Sequence, residues 1–386
     1  MRLPLSEPHL RQFQAFQAFT SQHITPHAGA WDRAQYIPES LISLLGQHGY
    51  LGANVPEQSV GQGWDSLTYG LLHEAIGAGC SSVRSLLTVH GMACHATARW
   101  ATRSVREQVL PRLACGDLIG AFALSEATAG SDAQNVQLMA TRQDNHYLLN
   151  GTKQWITFGQ RADVFVVFGR MQQGHTAFLV DRDTPGLSIE PLSDLLGTRA
   201  SMLARLHFQD ARVPAEHLLG REGFGHHYVL TSTLDWGRFS VAWGSVGILQ
   251  AALDTVLEHT RTREQYGSPL ASHQLVQRHL TEMAVKLHSA RLLCYQAALS
   301  RDRRDPQHLT DTLLAKYQAS NFAAEAAHTA VHLLGAKGCL PDFPAERLWR
   351  DAKVAEIIEG TPEILQMQIA RQLQDGYGQG IFEGAL

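Results

Sequence analysis

Residues 146–158, HYLLNGTKQWITF, set Asn150-Gly151 between two β-rich halves. An Asn-Gly pair flanked by such residues is the strongest short-range hairpin signal, so the spacing predicts a turn at 150–151. Working outward, further β-rich runs follow: VFVVFG (164–169), TAFLV (176–180), LSIEPL (187–192) and ARLHF (204–208). Residues 119–222 therefore read as a β domain. Before it, residues 1–118 read as helical, with Pro38 at a helix start ahead of SLISLLGQHG (40–49), where apolar residues return at intervals of three and four. After it, residues 223–386 turn helical again and carry two long stripes. The first is Val276, Leu280, Met283, Leu287, Ala290, Cys294 and Ala297, and the second is Leu313, Tyr317, Ser320, Ala324, Ala327, Val331 and Leu334. Alternating steps of four and three form the seam of left-handed helix packing, which predicts a bundle of long helices.

Composition excludes several classes. Of 386 residues, 44% are hydrophobic and 18% charged, a globular balance poorer in charge than the roughly 25% of soluble proteins, so a large buried fraction or a subunit interface is expected. The formal net charge is −4 with no basic run, which argues against a nucleic-acid partner. The opening MRLPLSEPHLRQFQ lacks the apolar core of a signal peptide, and no stretch reads as a membrane span, so the expected location is the cytoplasm, with no membrane partner. Five scattered cysteines without CxxC read as reduced core fillers, and the 20 histidines show no zinc-ligand spacing, so no metal is expected. There is no GxxxxGK[ST]. The Gly376, Gly378, Gly380 cluster follows no strand and reads as a flexible tail, while WGSVG (243–247) looks helical and does not make a nucleophile elbow.

Helix, sheet, bundle is an uncommon order, and four ordered motifs make it recognisable. They are AFALSEATAGSDAQN (121–135), KQWITFG (153–159), RTREQYGSPLASHQ (261–274) and HLLGAKGCLPDFPAERLWRDAKVAEIIEGTPEI (332–364). With these the whole chain resembles the acyl-CoA dehydrogenases. It departs from the family's usual residues at Asn135, Phe158, His332, Ala336 and Cys339, while the Trp-Ile-Thr, RDAK and EGT elements are intact. The resemblance implies an α+β multidomain fold: an N-terminal α-helical domain, a middle β-barrel or sandwich domain and a C-terminal four-helix bundle. It also implies bound FAD and oxidation of an acyl thioester, in which an α-proton goes to a base and a β-hydride to the flavin N5.

By the same resemblance Glu359 is the base. Thr361 suits an N-cap and Pro362 a first helical turn, which puts Glu359 in the loop just before a helix. The family's less common base position, on an earlier helix, corresponds to LDWGR (234–238), where Gly237 cannot serve. Phe122, Leu124, Ser125 and Ser131 match positions that bond the flavin, and Trp155, Ile156 and Thr157 positions that flank its ring. In isolation Trp155 also reads as strand packing and Thr157 as strand propensity. Arg263, Gln265, Tyr266 and Gln274 resemble residues that hold the FAD of a neighbouring subunit, as do His332, Gly335 and Ala336, although Arg263 by itself equally suits a solvated charge at a helix end. Thr361 and Glu363 are expected near an adenine end. Sites shared this way imply a homodimer or homotetramer. Ser131, Asp235, Arg238 and Gly360 match substrate positions, although Asp235 and Arg238, spaced i, i+3, also suit a simple helical pair.

The segments SSVRSLLTVHGM (81–92) and 153–170 resemble the branch that serves polyketide and nonribosomal-peptide pathways on acyl carrier proteins. The alternatives are an ordinary short-chain acyl-CoA dehydrogenase of catabolism and a flavin-free thioester-binding or scaffolding relative. Either an electron-transfer flavoprotein or oxygen would accept the electrons. Arg84 stands in an otherwise apolar helical segment that in the family lies near the far end of the acyl pocket. It is expected to meet a polar acyl group, to pair with an internal carboxylate, or to snorkel outward.

Overall fold

A computed structural model describes residues 5–374. Its helices are α1 (Glu7–His23), α2 (Ala28–Ala34), α3 (Glu39–Gln47), α4 (Ser66–Gly79), α5 (Ser81–Trp100), α6 (Arg103–Cys115), α7 (Thr231–Thr262), α8 (Gln274–Asp302), α9 (His308–Leu334), α10 (Pro344–Ile357) and α11 (Pro362–Gln374). Eight strands lie between α6 and α7: β1 (Gly120–Ala123), β2 (Met139–Gln143), β3 (His146–Ile156), β4 (Val164–Met171), β5 (Gly174–Asp181), β6 (Leu187–Pro191), β7 (Ala204–Pro214) and β8 (Leu218–Leu219). A small hairpin, β9 (Glu264–Gln265) with β10 (Ser268–Pro269), separates α7 from α8. Helical N- and C-terminal parts thus flank a middle sheet along the chain. The glycine cluster at 376–380 lies outside the described residues.

Two compact units form. One takes its described residues from Ala30–Asp65 and Ser82–Gly237, the other from Met1–Gly29, Ser66–Ser81 and Arg238–Leu386. In the first, the sheet runs β6-β7-β3-β2-β4-β5-β8, with β1 parallel to β4. Alternate residues of these strands, among them Tyr147, Leu149, Phe165, Val167, Phe178 and Leu206, bury one side as its core.

Asn150-Gly151 is not a turn. β3 runs straight through it, and the register against β7 shifts between Leu149 and Gly151, a bulge. Gly151 sits at φ +143°, where a Cβ would come 2.9 Å from Leu138 Cα. The Asn150 side chain bonds Asp210 on the neighbouring strand, donating to its carboxylate at 3.0 Å and accepting from its N–H at 2.8 Å. The freedom that makes Asn-Gly a turn former is used here inside a strand. The actual hairpin turn is Asp144-Asn145, with Gln143 paired to His146 and Asp144 at φ +46°.

In the helical unit α8 buries Met283, Leu287, Ala290, Cys294 and Ala297, as its stripe requires. The buried arc of α9 is wider than its stripe. Tyr317, Ala324 and Val331 are only half-buried, while Ala319, Ala323, Ala330 and the wholly buried Lys316 face inward. The reason is that α9 packs against α8, α10 and α11 at once, which a single seam does not describe. WGSVG lies within α7, where Ser245 Oγ donates to Val241 O. Its glycines let α7 approach α4: a Cβ on Gly247 would meet Glu74 O at 2.2 Å. The segment 225–262 is long and apolar enough to cross a bilayer by length and composition, but most of its apolar window is buried inside the protein, as in a core helix. All five cysteines are free. Cys80, Cys94 and Cys294 do fill the core, but Cys115 and Cys339 are exposed at the ends of short helical segments, so the core-filler reading fails for those two. Among the described residues no group of three or more His, Cys, Asp or Glu is placed to hold a metal ion.

Candidate active site

In the sheet unit two of the motifs are locked together by a pair of residues that sequence reasoning passed over. Lys153, on an inward-facing position of β3, donates from Nζ to Leu124 O at 2.8 Å and to Glu126 Oε1 at 2.7 Å. The two side chains are 0% and 6% exposed. Glu126 also accepts from the N–H groups of Gln137 and Leu138, and Gln154 N donates to Ser125 O at 2.8 Å. Burial opposes ionisation of Glu126, but Lys153 and the two amides outweigh it and hold the carboxyl below its ordinary value. A lysine on the inner face of a strand was the available signal, because such a charge requires a partner.

This lock brings Leu124 and Ser125, just past β1, beside Gln154 and hence Trp155, Ile156 and Thr157. Phe122 is buried edge-on against Phe168, ring centroids 5.1 Å apart, so its main chain is what it has to offer a ligand. Ile156 is core. Trp155 is 48% exposed at φ +58°, and Phe158 follows at φ +56°. The strand-packing reading of Trp155 therefore fails, as does strand propensity for Thr157, which lies beyond the end of β3. Left-handed backbone at non-glycine residues costs about 1–3 kcal/mol and persists where surroundings enforce it. An outward indole beside the half-buried hydroxyls of Ser125 and Thr157 suits a flat, hydrogen-bonding ring system such as a flavin. Ser131 is exposed in the loop that follows, and Asp235 is buried in the first turns of α7.

Two residues of α5 bear on this unit. His90 is buried; its Nδ1 accepts from Gly120 N at 3.1 Å, so Nε2 carries the proton and donates to Leu113 O at 3.0 Å. It anchors the start of β1. Arg84 is 2% exposed and donates from Nη1 to Thr88 Oγ1 at 3.0 Å, one turn further along α5. Outward snorkelling is thereby excluded.

In the helical unit Glu359 is half-buried at φ +56° in the link between α10 and α11, and Gly360 follows at φ +106°. Leu365 N donates to Thr361 O at 3.0 Å, so the helix starts where the sequence requires. Arg238, on α7, donates from Nε to Glu359 O at 3.1 Å, and Lys316, on α9, donates to the carbonyls of Glu356 and Gly360. The structure thus gathers Arg238, Glu359 and Gly360. Lys316 was missed because it sits in an alanine-rich helical stretch where a lysine ordinarily faces water. Glu363 is exposed, its carboxyl held down by its own N–H and the Thr361 hydroxyl.

Arg263, Gln265 and Tyr266 share the β9–β10 hairpin, closed by Leu270 N donating to Arg263 O and His273 Nε2 donating to Gln265 O. Tyr266 is 97% exposed at φ +53°. Gln274 opens α8 and is exposed, as are His332, Gly335 and Ala336 at the end of α9, where the His332 ring lies 6.3 Å from that of His279. A guanidinium, amides and an uncovered phenol are groups that suit a phosphate and a heterocyclic base.

The acyl-CoA dehydrogenase N-terminal domain matches residues 6–117, the middle domain 121–211 and the C-terminal domain 223–374. The chain belongs to the acyl-CoA dehydrogenase family, FAD-dependent oxidoreductases. It is 37% identical over 379 residues to the mitochondrial short-chain specific acyl-CoA dehydrogenase of Rattus norvegicus, covering 97% of this chain and 92% of that protein. Among solved structures, butyryl-CoA dehydrogenase from Megasphaera elsdenii matches with a TM-score of 0.93 at 32% identity, covering 97% of this chain and 100% of the other. The prolyl acyl carrier protein oxidase AnaB matches with a TM-score of 0.91 at 26% identity, covering 96% and 99%. The flavin-free scaffolding alternative is therefore set aside.

Proposed function

We propose that this enzyme oxidises a short acyl thioester bearing a polar group, carried on an acyl carrier protein or on CoA, with Glu359 as the base that takes the α-proton. Bound FAD supplies the hydride acceptor. Phe122, Leu124 and Ser125 would hold the flavin through main-chain and hydroxyl bonds, and Trp155, Ile156 and Thr157 would flank its ring. Glu359 accepts the proton from a rigid link, and the thioester arm meets Ser131, Asp235, Arg238 and Gly360. Arg263, Gln265, Tyr266 and Gln274, with the 332–336 loop and the Thr361–Glu363 segment, hold the pyrophosphate and adenine portions.

The observation that carries the substrate reading is Arg84, a guanidinium on α5 that is only 2% exposed. Its planar fork carries directional donors of the kind that recognise a polar acyl group, alongside the contacts it makes inside the protein, such as that to Thr88 Oγ1. The likeness to a short-chain specific enzyme supports the second reading, plain butyryl-like CoA thioesters; the likeness to AnaB supports a carrier protein. Anaerobic flavin bleaching with butyryl, hydroxyacyl and aminoacyl groups, each offered on CoA and on carrier protein, separates them. Faster bleaching by the polar groups is expected. Butyryl-CoA ahead of every polar thioester would leave the catabolic reading standing.

The uncovered Tyr266, together with exposed Leu275 on α8 and Met367 and Leu373 on α11, supports a homodimer or dimer of dimers in which the 263–266 hairpin serves the neighbour's FAD. The reading is completed by an electron-transfer flavoprotein or oxygen as acceptor and by a place in the cytoplasm, in polyketide or nonribosomal-peptide biosynthesis.

A further inference from the structure

Lys316 is wholly buried in α9 among Ala315, Ala319 and Ser320. Its Nζ lies 3.0 Å from Glu356 O, in the last turn of α10, and 2.6 Å from Gly360 O, just past Glu359. Arg238 holds the carbonyl of Glu359 itself at 3.1 Å. The last carbonyls of a helix lack intrahelical partners, so a donor here closes the end of α10. It also does more, because the same amino group grips the far side of a link whose two central residues, Glu359 and Gly360, both sit at left-handed φ. Two donors from two helices thus fasten three carbonyls around one carboxylate-bearing residue that would otherwise relax out of that backbone conformation.

We propose that Lys316 is a positioning residue: by holding the carbonyls on either side of Glu359 it sets where the carboxylate points, so proton abstraction depends on it more than folding does. The proposal rests on Glu359 being the base. A purely structural role, capping α10 against α9, makes a different prediction, since it affects stability and leaves the chemistry per folded molecule unchanged.

The test uses the flavin-loaded enzyme and the variants Lys316→Met, Lys316→Gln and Glu359→Gln. A short acyl-CoA thioester with sulfur in place of its β-carbon cannot lose a hydride, so exchange of its α-protons with deuterated solvent, followed by NMR, reports proton abstraction alone. FAD content, melting temperature and the Kd of this thioester are measured alongside. Lys316→Met and Lys316→Gln are expected to keep FAD and bind the thioester within about threefold, yet exchange its protons about 10- to 100-fold more slowly, the scale of a base misplaced by an ångström. Normal exchange in both with lowered melting would overturn the proposal, and so would loss of FAD-bearing folded protein in both. Glu359→Gln separates the two ideas. If it exchanges like wild type the base assignment falls; if it is inert while the Lys316 variants exchange normally, only the positioning role falls.

Discussion

Lys153 Nζ lies 2.7 Å from Glu126 Oε1, a buried contact that helps lock the Ser-Glu and Trp-Ile-Thr motifs together. Removing one member of a buried pair strands the other charge. Lys153→Met and Glu126→Gln are each expected to lose about 3–5 kcal/mol of stability and to release FAD more readily. Urea unfolding and the flavin absorbance of the purified variants check this. A loss below about 1 kcal/mol would mean the pair is dispensable.

Glu359→Gln preserves shape but not basicity. Flavin reduction by substrate is expected to fall by about 10²–10⁴, with FAD content unchanged. Stopped-flow bleaching decides it, and near-wild-type bleaching removes Glu359 from the mechanism.

Arg84→Leu is expected to shift preference from a hydroxyacyl towards a butyryl thioester by about 1–3 kcal/mol, the scale of a lost charge-assisted hydrogen bond. The readout is the ratio of reduction rates for the two thioesters in both proteins. An unchanged ratio assigns Arg84 to packing.

Arg263→Ala is expected to weaken FAD retention by on the order of tenfold and to lower the melting temperature with it, since a ligand stabilises by mass action. Flavin release on dilution and differential scanning fluorimetry measure both. Full occupancy with unchanged melting contradicts the placement.

His90 ties stability to pH. Burial, opposed by its bond to Leu113 O and the charge of Asp163, pushes it down to about 4, against about 6.5 for a free histidine. As pH falls through 6.5 the unfolded chain takes up a proton that the folded protein refuses until about 4. The stability held in this neutral ring is therefore complete above pH 6.5 and drains away towards pH 4, by at most about 3 kcal/mol. His90→Gln is expected to be less stable than wild type at pH 7, with the gap narrowing steadily towards pH 4.5. Parallel stability curves from urea midpoints across that range would refute it.

Much of this protein was legible in one dimension. Helix starts at Pro38 and Pro362, the α8 stripe and the strand runs from Val164 onward depend on neighbours within a few residues, and that is where they were read correctly. The placement of Glu359 just before α11 is local in the same sense. Other features were not. Whether Asn150-Gly151 turns or bulges is settled by Leu138 and Asp210 lying against it. Trp155 faces out because the chain leaves β3 in a left-handed step, and Lys316 faces in because two carbonyls 40 and 44 residues away need its donors. Periodicity states which face of an element is apolar. Only the fold decides which polar groups are stripped of water, and a buried donor or charge is tolerated where distant chain supplies the hydrogen bonds that replace it.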